Sequence, residues 1–126
     1  MSLRTPLGQA RGLGSAKDGT HHWFAMRLSS IAMVPLMLWL IFSLGSLAGA
    51  GFAATTAWVA APLNTVLLIL AVGTLFHHAH MGLQVIIEDY VHSEGIKFAS
   101  LIAVKFLMLL LAVTGIVAIL RIAFGS

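Results

Sequence analysis

The residues best suited to chemistry are three histidines in the run HHAHMGLQVIIEDYVH, His77 to His92, which interrupts a long apolar stretch. A polar ring nitrogen near mid-bilayer is costly unless it meets a ligand, a partner or a cavity, so His77, His78 and His80 each require one. Two readings fit: hydrogen bonding to a neighbouring helix, and coordination of a metal. The absence of Cys removes disulfides, zinc-thiolate sites, iron–sulfur ligation and thiol catalysis together. Any metal must therefore be held by His, Met or carboxylate.

Helical geometry separates the three rings. His77, His80 and Gln84 fall on one stripe, and His78, Gly82, Val85 and Asp89 fall on another. His78 and Asp89 are about 16 Å apart along the axis, so a mid-membrane site and an interfacial site would face the same neighbour. Gly82, one turn beyond His78, leaves room for a flat macrocycle or for a close helix. Haem iron suits a lone imidazole on a helix, whereas zinc needs several converging ligands. A bis-imidazole haem takes its ligands from opposite faces of the ring, and a single helical turn cannot supply both. The remaining histidines, His21, His22 and His92, lie at or outside the interface, so a second ligand implies a partner membrane subunit.

The elements that must position these groups are membrane helices. Of 126 residues, 60% are hydrophobic and 9% charged, with mean hydropathy +1.01, which excludes a water-soluble domain. A mass of 13.4 kDa leaves no room for a separate soluble catalytic domain. The expected fold class is an all-α membrane protein with three transmembrane helices, over about 27–50, 58–88 and 98–124. A polar basic tail, 1–26, precedes the transmembrane anchor domain, 27–126. Met1–His22 has no apolar run to serve as a signal-peptide core. Pro35 should kink the first span, and Gly45–Thr56 reads as its frayed end plus a short loop. Lys105 and Arg121 lie where long side chains snorkel to the interface. Arg4, Arg11, Lys17, Arg27 and Lys97 flank one membrane face and only Arg121 the other, so the amino terminus is expected in the cytoplasm. The second loop, with Glu88, Asp89 and Tyr90 beside it, then shares that face. A net charge of +3 reads as topology and lipid-headgroup contact, with no nucleic-acid partner.

The pattern H-A-H-M-G (His78–Gly82), then E-D-Y-V-H (Glu88–His92), behind G-L-G-S-A-K-D-G-T-H-H-W-F-A-M-R (Gly12–Arg27), resembles the small hydrophobic membrane anchor subunits of succinate dehydrogenase, respiratory complex II. The resemblance covers the three-helix plan. It implies a multi-pass subunit of the bacterial cytoplasmic (inner) membrane that shares haem b with a second membrane anchor (cytochrome b) subunit. It also implies docking of a flavoprotein and an iron–sulfur subunit that oxidise succinate and pass electrons to ubiquinone, in the respiratory chain and the tricarboxylic acid cycle. Residue by residue, His78 matches the axial ligand to the haem iron, Arg27 an arginine near the haem propionates, and Asp89 and Tyr90 the pair at the quinone site. By type alone, Asp89–Tyr90 also fits an interfacial helix end and Arg27 a topology charge. Gln84 is one residue out of register with the glutamine common in the family, so no role carries over to it, and the doubled His21–His22 leaves open which ring, if either, approaches the site. The chain has no dinucleotide fingerprint and no cysteine cluster, so it is expected to be non-catalytic on its own. A fumarate reductase anchor and a haem-free membrane scaffold are the alternatives.

Overall fold

Long apolar runs become helices, and they are separated here by glycine at Gly49–Gly51, by Ala61–Pro62 and by the polar Val91–Ser93 turn. The computed structural model describes residues 5–12 and 19–125. Its elements are α1 (Pro6–Ala10), α2 (Gly19–Leu47), α3 (Gly51–Ala60), α4 (Pro62–Tyr90) and α5 (Glu94–Ala123), with no strand among the described residues. Three helices, Thr20–Leu47, Pro62–Tyr90 and Glu94–Ala123, are long and apolar enough to cross a membrane. At about 1.5 Å per residue each exceeds a hydrocarbon core of about 30 Å, so their ends reach the headgroup layers.

Boundaries differ from those read in the sequence, for physical reasons. α2 is already helical at Gly19 rather than beginning near Arg27, because a charge ends an apolar run without ending a helix. It continues through Pro35, which removes one backbone donor but leaves the helix whole. The Gly/Ala-rich segment expected as a frayed end and loop instead forms α3, since alanine is the strongest helix former. Gly49 and Gly51 take φ of 79° and 85°, a turn that suits glycine, between α2 and α3. Ala61, ahead of Pro62, is extended at ψ 128°, which separates α3 from α4. Asn64 Nδ2 donates to the Trp58 carbonyl at 2.9 Å and Thr65 Oγ1 to the Val59 carbonyl at 2.6 Å, satisfying oxygens at the end of α3. Within the tail, α1 is a single turn with Thr5 as its N-cap and Pro6 at its start. Arg4, Lys17 and residues 13–18 of the tail motif lie outside the described residues.

α4 is the central helix, packed on one side against α5 and on another against α2. Lipid tails are as apolar as leucine, so close helix contact comes from small residues rather than from hydrophobic exclusion. Ala71 is, with Met81, one of two buried apolar residues among those described, and Gly115 of α5 lies so close that a Cβ there would be 3.2 Å from Val72 Cγ1. Trp39 of α2 and Trp58 of α3 stack with ring centroids 5.5 Å apart, tying the short helix to the bundle. Large apolar side chains such as Ile41, Phe42, Phe106 and Leu110 point outward. In water such a surface would aggregate; in a bilayer it is the solvated face.

Candidate functional site

Successive residues on α4 face different neighbours, so the three histidines separate. His78 faces α2, where its Nδ1 lies 3.1 Å from Ser29 Oγ. Ser29 is buried, at 8% exposure, and its hydroxyl also donates to the Met26 carbonyl at 2.9 Å. Trp23, Met26, Arg27, Ser30 and His78 line a cavity of about 230 Å³ between α2 and α4. The Arg27 guanidinium lies over the Trp23 ring, 5.2 Å from its centroid, a cation–π contact that holds the charge beside the cavity mouth. The structure therefore brings His78 and Arg27, two of the residues singled out in the sequence, to one cavity.

One turn along α4 from His78, no side chain and no other helix among the described residues comes within 4 Å of where a Cβ on Gly82 would stand. The stripe carrying His78 thus continues into open space rather than onto another helix of the same chain. Asp89 and Tyr90, eleven and twelve residues on, are exposed at the end of α4, Tyr90 at 76%. Among the described residues neither side chain makes a hydrogen bond, and neither lines the His78 cavity. They form a second locus about 16 Å along the helix axis.

His80 faces α5. It lines a cavity of about 270 Å³ with His77, Lys105 and Met108, and a neighbouring one of about 250 Å³ with Gln84, Phe98 and Lys105. Its Nδ1 is buried and has no hydrogen-bond partner, as is His22 Nε2 on α2. His77 is exposed and reaches toward both neighbours, lining a further cavity with Ala25, Leu28 and Ser29 of α2. Gln84 donates to Glu88 Oε1 at 3.0 Å, a bond within α4. His21 and His92 are exposed. No group of three or more His, Cys, Asp or Glu able to hold a metal ion occurs among the described residues. A metal held at the described residues would therefore take fewer than three of these ligands from them.

Ser29 is not among the candidates that the sequence raises, and it is the residue that meets His78 directly. The only local signal is a pair of serines, Ser29 and Ser30, inside an apolar helix, where a hydroxyl needs an acceptor. Ser30 Oγ bonds the same Met26 carbonyl at 2.9 Å and also lines the cavity.

Residues 1–112 match the family described as the succinate dehydrogenase/fumarate reductase transmembrane subunit. The chain is similar to the succinate dehydrogenase hydrophobic membrane anchor subunit of Rickettsia bellii (strain RML369-C), 34% identical over 93% of this chain and 94% of that one. It is similar to the protein of the same name from Paracoccus denitrificans, 28% identical over 100% of this chain and 97% of that one. It also resembles the succinate dehydrogenase membrane anchor subunit of Porphyra purpurea, 55% identical over 29% of this chain and 44% of that one. With a family match over residues 1–112 and three helices long and apolar enough to cross a membrane, the chain belongs to the family of succinate dehydrogenase/fumarate reductase transmembrane subunits.

Proposed function

We propose that this chain is a membrane anchor subunit of a succinate dehydrogenase that holds haem b jointly with a second membrane subunit and contributes to the ubiquinone-reducing site. The observation that carries the reading is the α2–α4 cavity in which an imidazole, His78, and a guanidinium, Arg27, stand together. An imidazole can ligate iron and a guanidinium can pair with a propionate, the two functions a haem edge requires. The cavity's volume of about 230 Å³ is below the roughly 300–1,000 Å³ of a complete small-molecule pocket, which supports a site finished by another chain. The open space beside Gly82 supports the same conclusion. When bound, haem b supplies a one-electron redox centre inside the membrane. This chain's part is to present one imidazole, one counter-charge and an apolar wall.

Asp89 and Tyr90 serve the quinone end of the reading. A phenol hydroxyl donates to a quinone carbonyl oxygen, and the adjacent carboxylate orients it or passes a proton. Quinone takes up two electrons and two protons to become quinol; the electrons come from succinate oxidised in the soluble subunits. Those subunits, a flavoprotein and an iron–sulfur protein, would dock on the face that carries the amino-terminal tail and the Val91–Ser93 turn. In this reading that face is cytoplasmic and the membrane is the bacterial inner membrane. The names of the relatives favour succinate oxidation over fumarate reduction.

The test is a dithionite-reduced minus oxidised spectrum of the purified complex, comparing wild type with His78→Ala and His80→Ala. A b-type band lost or displaced only in His78→Ala, with subunits still assembled, is expected. A band unchanged in His78→Ala moves the ligand elsewhere, and no band in wild type reduces this chain to a haem-free scaffold.

A further inference from the structure

The proton inventory around Ser29 fixes more than a contact. A serine hydroxyl has one hydrogen and can accept through its lone pairs. Ser29 Oγ is 2.9 Å from the Met26 carbonyl oxygen, which can only accept, and 3.1 Å from His78 Nδ1. Both contacts are hydrogen bonds under one assignment: the hydroxyl donates to Met26, and His78 Nδ1–H donates to the hydroxyl oxygen. In a neutral imidazole this is the Nδ1–H tautomer, with the Nε2 lone pair bare. Burial of Ser29 at 8% exposure keeps water from replacing this partner.

We infer that Ser29 is the positioning residue of the axial ligand: it fixes the tautomer and orientation of His78, leaves Nε2 free for iron, and tunes ligand basicity. The inference rests on the haem reading above. Metal-bound histidines donate their other N–H to an acceptor, and that donation makes the imidazole a stronger electron donor, which favours ferric over ferrous iron. Removing the acceptor weakens that preference. The partner sits on α2 and the ligand on α4, so the bond also makes helix packing part of the ligand's geometry.

The experiment is redox potentiometry and low-temperature electron paramagnetic resonance of the b-type centre in the assembled complex. Wild type is compared with Ser29→Ala, Ser29→Val, Ser29→Thr and Ser46→Ala. Ser29→Ala and Ser29→Val should lose about tenfold in ferric-over-ferrous preference, a rise of about 59 mV for one electron, with shifted ferric g-values. Thr, which keeps the hydroxyl at the volume of Val, should restore the wild-type values. Ser46→Ala, which removes an exposed hydroxyl of the same helix that bonds the Ser43 carbonyl away from the cavity, should not move them. A potential and g-values unchanged in Ala and Val, while His78→Ala abolishes the band, overturn the role of Ser29 and leave the haem reading standing. A wild-type complex without a b-type band overturns both. If Ala and Val fail to assemble, nitrogen-15 resonances of histidine in the reduced wild-type complex decide: a slowly exchanging Nδ1–H on His78 supports the inference, and a bare Nδ1 refutes it.

Discussion

Replacing Gly82 by leucine asks what occupies the space one turn beyond His78. Inside the chain the change is favourable, because nothing beyond its own helix backbone lies within 4 Å of the new Cβ and leucine is a better helix former than glycine, which trails alanine by about 0.8–1 kcal/mol. Any loss must therefore come from a group outside the chain. If that group is packed at native density, overfilling costs about 1–3 kcal/mol, which is roughly 5- to 150-fold in the affinity of whatever docks there. Gly115→Leu is the internal control: its Cβ would already stand 3.2 Å from Val72 Cγ1, so the strain falls on the α4–α5 contact itself. The assay is haem per chain and subunit stoichiometry in detergent-purified complex, alongside the amount of each variant chain in the membrane. Gly82→Leu should leave chain level intact while lowering haem content or assembly, whereas Gly115→Leu should lower chain level first. Wild-type haem and assembly in Gly82→Leu would show that lipid fills this space, and would remove the open stripe as support for a shared site.

Arg27→Gln should weaken haem retention at least tenfold, since a hydrogen bond to a charged group is worth about 1.5–3 kcal/mol; the rate of haem loss to an acceptor protein measures it. Tyr90→Phe should raise the KM for quinone by about 2- to 12-fold, the loss of one hydrogen bond of about 0.5–1.5 kcal/mol, while the b-type spectrum stays unchanged. A KM at the wild-type value would remove the phenol from the quinone site. Trp58→Ala should lower the thermal midpoint of the complex, because the Trp39 stack, with centroids 5.5 Å apart, contributes about 0.5–1.5 kcal/mol beyond its area, and should leave the haem spectrum alone. Glu94→Gln should change stability by less than about 1 kcal/mol, because Glu94 is 89% exposed and its ion pair with Lys97, at 3.7 Å, is solvent-screened.

Hydrophobic run length and composition are local properties, so the all-α plan and the three spans are legible in the amino-acid order alone. The division of the α4 histidines into two stripes is legible for the same reason: helical pitch alone separates His78 from His80. Helix starts are less legible, because hydropathy marks where lipid begins rather than where backbone hydrogen bonding begins; α2 already runs at Gly19 and α5 at Glu94, both in polar sequence. α3 is hidden because a Gly/Ala/Thr segment between breakers carries both loop and helix signals.

What only the tertiary structure decided is which neighbour each stripe meets. Periodicity puts His78 and Asp89 on one face of α4 and suggests a common neighbour; packing puts α2 against His78, leaves Gly82 open and leaves Asp89 exposed. The Ser29–His78 bond joins residues 49 apart in the chain, and no window of sequence encodes the approach of two helices. Arg27 reaches the same cavity by the same approach. A helix determines from its own residues the direction in which each side chain points, because the hydrogen bonds that set its pitch are internal. What waits in that direction depends on how several helices pack at once, a property of the whole chain and, at Gly82, of whatever lies beyond it.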